Sequence, residues 1–346
     1  MPTNVEMLEL LRKVSDPELG RNIVELNMVR DLKISRDGVV EFTLALTIPG
    51  CPMKAQMERD ARMTLMSLPG VKDVKITFGA MSEDERRKVL GGSQSVLPKL
   101  NQFNKVKKVI AVMSGKGGVG KSSVSAILAT ALMRNHRKVG ILDADITGPS
   151  IPKLFGLPSG GLRGSDQGIL PAITAQGIKT ISTNLLVPNE DAAVIWRGPM
   201  IAGTIKQFWT DILWGELDVL LVDLPPGTSD AALTVMQSLP VNGVVLVSTP
   251  QELAGMVVRK ATSMLKQLNI PILAVIENMS YYPCPDSGNP HYIFGPSHVE
   301  ELAKAVGTEL FVRLPLDPRV AELGDAGRIE EFESPEMAPI LENLLS

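Results

Sequence analysis

Two hydrophobic rhythms divide the chain. Apolar residues recur at helical spacing over residues 5–14, and "MVRDLKIS" and "VVEFTLALTI" then alternate on either side of Asp37-Gly38, a dipeptide that signals a two-residue hairpin. After "PGCP", residues 53–68 carry a helical pattern and "VKDVKITF" a strand pattern. Residues 1–80 are therefore expected to form a small α+β domain in the order α-β-β-α-β. Residues 81–105, "MSEDERRKVLGGSQSVLPKLNQFNK", are charged, contain Gly-Gly and hold no sustained apolar period, which marks a linker. From residue 106 to 346 the rhythm becomes apolar strands alternating with helices: "VIAVMS", "KVGILDAD", "VLLVDLPPG", "GVVLVSTP" and "PILAVIENM". Near-continuous apolar strands are buried on both faces, so the larger domain is expected to be α/β, with a mainly parallel central sheet flanked by helices.

Charge and composition narrow the partners. A net charge of -3 and 4% aromatic residues supply neither the basic footprint nor the stacking platforms of a nucleic-acid binder, and no such partner is expected. No stretch approaches the roughly 18 apolar residues of a membrane span, and Glu6, Glu9 and Asp16 fall where a secretory signal would need an apolar run. A cytoplasmic protein without a membrane partner is the expectation. The two cysteines, Cys51 and Cys284, are too few for a disulfide framework, which leaves packing or chemistry as their use.

The densest chemistry follows "VIAVMS". Gly115, Gly120, Lys121 and Ser122 satisfy G-x-x-x-x-G-K-[ST]: glycines let backbone amides turn toward phosphates, the lysine reaches the outer phosphates, and the hydroxyl holds magnesium. "SSVSAILATALMRN" then places Val124, Ile127, Leu128 and Ala131 on one helical face, aiming the helix amino terminus at the anion. "VLLVD" ends a buried strand in Asp223, a carboxylate able to bind magnesium directly or through water. "LDADITGPS" brings Asp143 and Asp145 to the carboxyl end of the second strand, where ligands of open α/β sheets collect and one carboxylate could orient an attacking water. Lys116 is one lysine more than phosphate binding needs. It reads either as a solvated surface charge or as a cation delivered to the nucleotide of a second subunit.

"GKGGVGKSS", "LDADITGPSIPKLFGL", "DVLLVDLPPGTSD" and "ENMSYYPCP", in this order and spacing, resemble the Mrp/ApbC group of iron-sulfur carrier ATPases. That group lies in the deviant-Walker class of P-loop proteins, with the nitrogenase iron protein and the MinD and ParA ATPases. "SDPELGRNIVELNMV" followed by "LTIPGCP" resembles the small iron-sulfur-assembly-associated domain often fused ahead of such carriers. The resemblance implies a homodimer that sandwiches ATP, hydrolyses it, and passes iron-sulfur clusters to apo-proteins, with assembly factors as further partners. It implies that Gly115, Lys116, Gly117, Gly118, Val119, Gly120, Lys121, Ser122 and Ser123 hold the phosphates and that Ser122 and Asp223 serve Mg2+. In catalysis Lys116 would cross the dimer interface, Lys121 would act in its own subunit, and Asp145, with Asp143 nearby, would orient water. Asn278 would read adenine and Pro315 would line the base. The alternative is a MinD/ParA-like switch without a metal cluster; a small-molecule kinase fits "DLPPGTSD" and the extra lysine less well.

One departure bears on the cargo. Members of the group usually show Cys-x-x-Cys after "NMS", whereas here Ser287 stands where the second cysteine would be. Cys284 alone cannot supply four thiolates, but a homodimer offers two Cys284 and two Cys51, so an iron-sulfur cluster would bridge subunits. Cys51, in "PGCPM", precedes an expected helix whose dipole and free amides favour a thiolate, with simple burial as the other reading. His291 and His298, in "NPHYIFGPSH", are further metal-ligand types nearby.

Overall fold

The computed structural model describes residues 2–16, 21–46, 54–82, 85, 100–146, 148–165, 167–186, 198–227, 230–251 and 257–345. The chain divides into two compact units, Met1–Val96 and Leu97–Ser346.

In the first unit, helix α1 (Asn4–Leu11) starts at a capping box: the Thr3 hydroxyl accepts from the Glu6 amide, and the Glu6 carboxylate accepts from the Thr3 amide at 2.7 Å. A two-residue antiparallel pair, β1 (Ser15–Asp16) with β2 (Arg21–Asn22), follows. Strands β3 (Val29–Ile34) and β4 (Val39–Leu46) pair antiparallel, and helix α2 (Lys54–Met66) carries the chain over to β5 (Asp73–Ala80), parallel to β4. Alternation along β4 sends Val40, Phe42 and Leu44 inward against Met7, Leu11, Met57, Ala61 and Leu65. The hairpin differs from its expected form. Its loop is Ser35–Gly38, closed by the Gly38 amide donating to the Ser35 carbonyl at 3.0 Å, so the turn centres on Arg36-Asp37 rather than on Asp37-Gly38. Gly38 (φ +83°) is the left-handed residue that rejoins the strand, as in three-residue loops with a glycine bulge.

The second unit is built on β6 (Lys105–Ser114), β7 (Val139–Asp143), β8 (Arg163–Ser165), β9 (Gly168–Leu170), β10 (Ala172–Ile173), β11 (Lys179–Ile181), β12 (Glu216–Asp223), β13 (Gly243–Ser248), β14 (Ile272–Pro283), β15 (Pro290–His291) and β16 (Phe311–Pro315). Among the described residues the main sheet runs β10-β11-β7-β12-β6-β13-β14-β15, with β16 also on β14. All its pairings are parallel except β10 on β11 and β15 on β14. β8 and β9 form a separate antiparallel pair. Both faces are covered: Ile110 and Val112 of β6 pack into one apolar layer and Val109, Ala111 and Met113 into the other. At about 1.5–3 kcal/mol for each large apolar side chain buried, these layers supply the main driving force. On the second face Trp214 is fully buried, with its indole N–H donating to the Phe208 carbonyl at 3.0 Å.

Helix α3 (Lys121–Arg134) departs from the single apolar face expected of it. Ser125, Ala126, Ala129, Thr130 and Leu132 are buried as well as Val124, Ile127 and Leu128, while Ala131 is half-buried. The reason is a second covering layer: Arg134 donates to the carbonyls of Glu330 and Phe332 at 2.6 and 2.8 Å, and Met337, Ile340, Leu341 and Leu344 join the same core. Small side chains on α3 make that close sandwich possible. β6 lies between β12 and β13 at the centre of the sheet, and the crevice beyond its carboxyl end is where the phosphate loop stands. No helix among the described residues is long and apolar enough to cross a membrane.

Candidate functional site

The loop between β6 and α3 is held by the chain's own groups. The Ser114 hydroxyl donates to the Lys116 carbonyl, and the Asn278 side-chain amide donates to the Val119 carbonyl, both at 2.9 Å. Gly118 (φ +82°) and Gly120 (φ +75°) are left-handed, and a Cβ on Gly120 would overlap the Asn278 amide, so a larger residue at position 120 would be strained and would displace that amide from the loop. With Gly120 at its N-cap, α3 has no side-chain cap, leaving its first amides available to an anion. A cleft of about 240 Å³ results, lined by residues 116–123 with Ser114, Asp145 and Pro226. Gly115 lies outside that lining. A larger, mainly apolar cavity of about 510 Å³, lined by Leu157, Leu170, Ile173 and Leu213 among others, contains none of the residues singled out in the sequence.

Beneath the loop is a buried charge cluster. Lys121 is 6% exposed and Asp223 not at all, with Lys121 Nζ 2.7 Å from Asp223 Oδ2. The Ser122 hydroxyl donates to Oδ2 and the Ser125 hydroxyl to Oδ1, each at 2.6 Å. A buried carboxylate is tolerated only with such complete compensation. Asp143 is directly opposite Asp223 in the β7–β12 register. Burial, and then the Asp223 charge, push the Asp143 carboxyl up to about 8, favouring its neutral form at pH 7. Its oxygens accept from the amides of Asp145 and Ile151 and the hydroxyl of Ser182, each at 3.2 Å. Asp143 thus lies behind the cleft and holds the segment that carries Asp145, while Asp145 lines the cleft and accepts from the Gly148 amide at 3.2 Å. Lys116 is exposed and forms no ion pair among the described residues. Asn278 stands beside the loop, and Pro315 is farther along the same edge, paired with Tyr281; neither belongs to the cleft lining.

β14 continues past Asn278 to Pro283, and Cys284 opens a tight turn. Its amide donates to the Asn289 carbonyl at 3.0 Å, and the Gly288 amide donates to its carbonyl at 2.8 Å. β15 returns antiparallel with His291 opposite Tyr282. The Ser287 hydroxyl, then the Ser287 and Asp286 amides, with a smaller part from the His291 ring, bring the half-buried Cys284 thiol down to about 6. The thiol is thus more acidic than usual, and its thiolate predominates above about pH 6. Alkylation of Cys284 in the metal-free protein, followed peptide by peptide with iodoacetamide, is expected to rise with a midpoint near pH 6, and Ser287→Ala to shift it toward the ordinary value of about 8.5. A wild-type midpoint near 8.5 would contradict the hydrogen-bonding assigned to the turn.

A family described as NUBPL iron-transfer P-loop NTPase matches residues 105–345, and one described as iron-sulfur cluster assembly protein matches residues 4–78. The chain is 41% identical over 342 residues to the iron-sulfur cluster carrier protein of Synechocystis sp., spanning 98% of this chain and 94% of that one. The chain belongs to the iron-transfer P-loop NTPase family. A nucleotide-binding protein from Archaeoglobus fulgidus, solved in complex with ADP, is 47% identical with a TM-score of 0.62, covering 68% of this chain and 92% of that one. The cell division ATPase MinD of Pyrococcus furiosus, 20% identical with a TM-score of 0.50 over 68% of this chain and 96% of its own, shares the fold.

In this iron-transfer P-loop NTPase, Cys51 lies outside the described residues. His298 is engaged elsewhere: its Nδ1 is 2.9 Å from Glu301 at the start of the helix Val299–Val306. Ser125, Ser182 and Pro226 belong to the site or its support without having been singled out in the sequence. Ser125 was within reach, since it falls one helical turn after Ser122 and therefore on the same side of α3. Ser182 carries no local signal and only the sheet order brings it in, whereas Pro226 stands in "DLPPGTSD", three residues after Asp223.

Proposed function

We propose that the protein binds and hydrolyses ATP in the loop cleft and carries an iron-sulfur cluster, as its substrate, to apo-proteins, working as a homodimer with nucleotide between the subunits. The observation that supports this reading is that one strand runs from the phosphate loop to the cysteine. β14 braces the phosphate loop through Asn278 and, six residues on, presents the Cys284 thiol; at about 3.3 Å per residue they are some 20 Å apart. Met279 (φ +55°), where β14 and β16 shift register, is the irregular point between them. A change at the loop would be passed along this strand to the turn, so hydrolysis could gate cluster release.

Lys121 takes the outer phosphates once it exchanges Asp223 for them, and Asp145 orients water at the cleft mouth. The oxygens of Ser122 and Asp223 are hard donors brought within 2.6 Å of each other, a set suited to Mg2+. When bound there, Mg2+ would offset charge on the phosphates. Lys116 would reach the nucleotide of the second subunit.

The test is anaerobic reconstitution of the full chain with ferrous iron and sulfide, followed by transfer to an apo-ferredoxin with and without MgATP. Stoichiometric cluster uptake and transfer accelerated by MgATP are expected. No iron uptake in the nucleotide-free, ADP and ATP states would overturn the carrier reading and leave a nucleotide switch.

A further inference from the structure

Cys284 has a second metal-ligating side chain beside it. The pairing of Tyr282 with His291 brings β15 back along β14, and the Cys284 amide, donating to the Asn289 carbonyl at 3.0 Å, extends that register, so His291 stands diagonally across from Cys284 on the same face of the ladder. Ser287 offers only a neutral hydroxyl, which supplies iron with neither charge nor softness. His298 is held by Glu301. At this turn each chain therefore presents one sulfur and one imidazole nitrogen, and among the described residues no group of three or more ligating side chains exists. A two-ligand pair leaves a four-coordinate centre half satisfied. It is also open: His291 is exposed, and next to it Tyr292 and Ile293 are 48% and 57% exposed, an apolar rim contiguous with the ligand pair.

We propose that Cys284 and His291 form half of a four-ligand site that the same two residues of a second copy of this chain complete, and that this mixed set of two thiolates and two imidazoles holds a [2Fe–2S] cargo. The inference rests on the carrier reading and goes beyond it by assigning His291 the place that Ser287 cannot fill. Two-cysteine, two-histidine ligation is compatible with [2Fe–2S] clusters and raises their reduction potential above that of all-thiolate ones. Each Cys284 enters as a thiolate and each imidazole enters neutral, so net charge at the apolar rim stays low.

The full-length protein is first titrated anaerobically with cobalt(II) alone, then reconstituted with ferrous iron and sulfide. Wild type is expected to bind one cobalt per two chains, with sulfur-to-cobalt charge-transfer absorption and tetrahedral ligand-field bands. His291→Ala is expected to lower cobalt affinity by more than the roughly 10–100-fold that loss of an outer-shell partner costs, with circular dichroism and ATP binding unchanged. His291→Cys should recover cluster uptake with a reduction potential below that of wild type, and His298→Ala should behave as wild type. If His291→Ala binds cobalt and cluster as wild type does while Cys284→Ala does not, His291 is no ligand and the inference fails with the carrier reading intact. One cobalt per monomeric chain, or uptake by Ser287→Cys but not by wild type, overturns it equally. No uptake by wild type, His291→Cys or Ser287→Cys removes the carrier reading itself.

Discussion

Replacing Lys121 with alanine is expected to lower affinity for ATP by about 10–150-fold and also to destabilise the ligand-free chain. The first effect follows from a charge-assisted hydrogen bond to phosphate, worth about 1.5–3 kcal/mol, at about 1.4 kcal/mol per tenfold in affinity. The second arises because Lys121, ligand-free, is the counter-ion of a fully buried carboxylate: Asp223 has no exposure, and its remaining partners are the hydroxyls of Ser122 and Ser125. Removing one member of a buried pair costs about 3–5 kcal/mol, and the two hydroxyls bring this toward the lower figure. At about 2–4 °C per kcal/mol for a unit of this size, the melting temperature should fall by about 6–12 °C. The two effects separate in the double variant Lys121→Ala/Asp223→Asn, in which no unpaired charge remains. Stability should return while ATP affinity does not. Calorimetric titration of ATP and thermal unfolding read the two quantities. ATP affinity in Lys121→Ala within threefold of wild type would remove the lysine from the phosphate site.

The loop cluster shows where a sequence is readable and where it stops. Gly120, Lys121, Ser122 and Asp223 are legible because a phosphate site needs those residue types at those positions on a strand, a loop and a helix start, and all of these are local patterns. That Lys121 and Asp223 pair with each other is not local; it depends on β12 being the neighbour of β6. The same holds for Asp143. "LDAD" shows two equivalent carboxylates, and only the register that puts Asp143 opposite Asp223, under Ser182 from β11's end, makes one of them buried and neutral-leaning. The five apolar strands named in the sequence each fall on a sheet strand, whereas β10 and β11 are two and three residues long and carry too few apolar positions to register as a period. α3 was legible as a helix but not as a sandwiched one, because serine and alanine look polar or neutral until the carboxyl-terminal segment is seen to cover them. The loop of β3 and β4 shows a smaller failure of the same kind. Asp-Gly marks a turn, but whether the glycine is inside it or closes it depends on the pairing register.

Lys116→Ala is expected to leave ATP affinity within about threefold of wild type and to reduce turnover by about 10³-fold, with loss of the ATP-dependent dimer. The loop itself should survive the substitution, because Lys116 contributes to it through its backbone: the Ser114 hydroxyl donates to the Lys116 carbonyl, and alanine keeps that carbonyl. The side chain is exposed and unpaired with any described carboxylate, so its removal costs the folded monomer little. Whatever the ammonium group does is therefore done to something outside its own chain's buried network. Cations supplied in trans to a phosphoryl group contribute about 10³–10⁵ in rate, and a lysine, which presents a point charge rather than a bidentate fork, belongs at the lower end. Mixing experiments give the decisive readout. Lys116→Ala contributes an intact cleft and Lys121→Ala contributes an intact Lys116, so a mixture should regain part of the turnover that each homodimer lacks, through heterodimers with one functional site. Sedimentation with and without ATP follows the dimer, and phosphate release follows turnover. A mixture with no more activity than its components, or equal loss of affinity and turnover in Lys116→Ala with dimers unchanged, would place Lys116 in its own subunit's site and remove the sandwich arrangement.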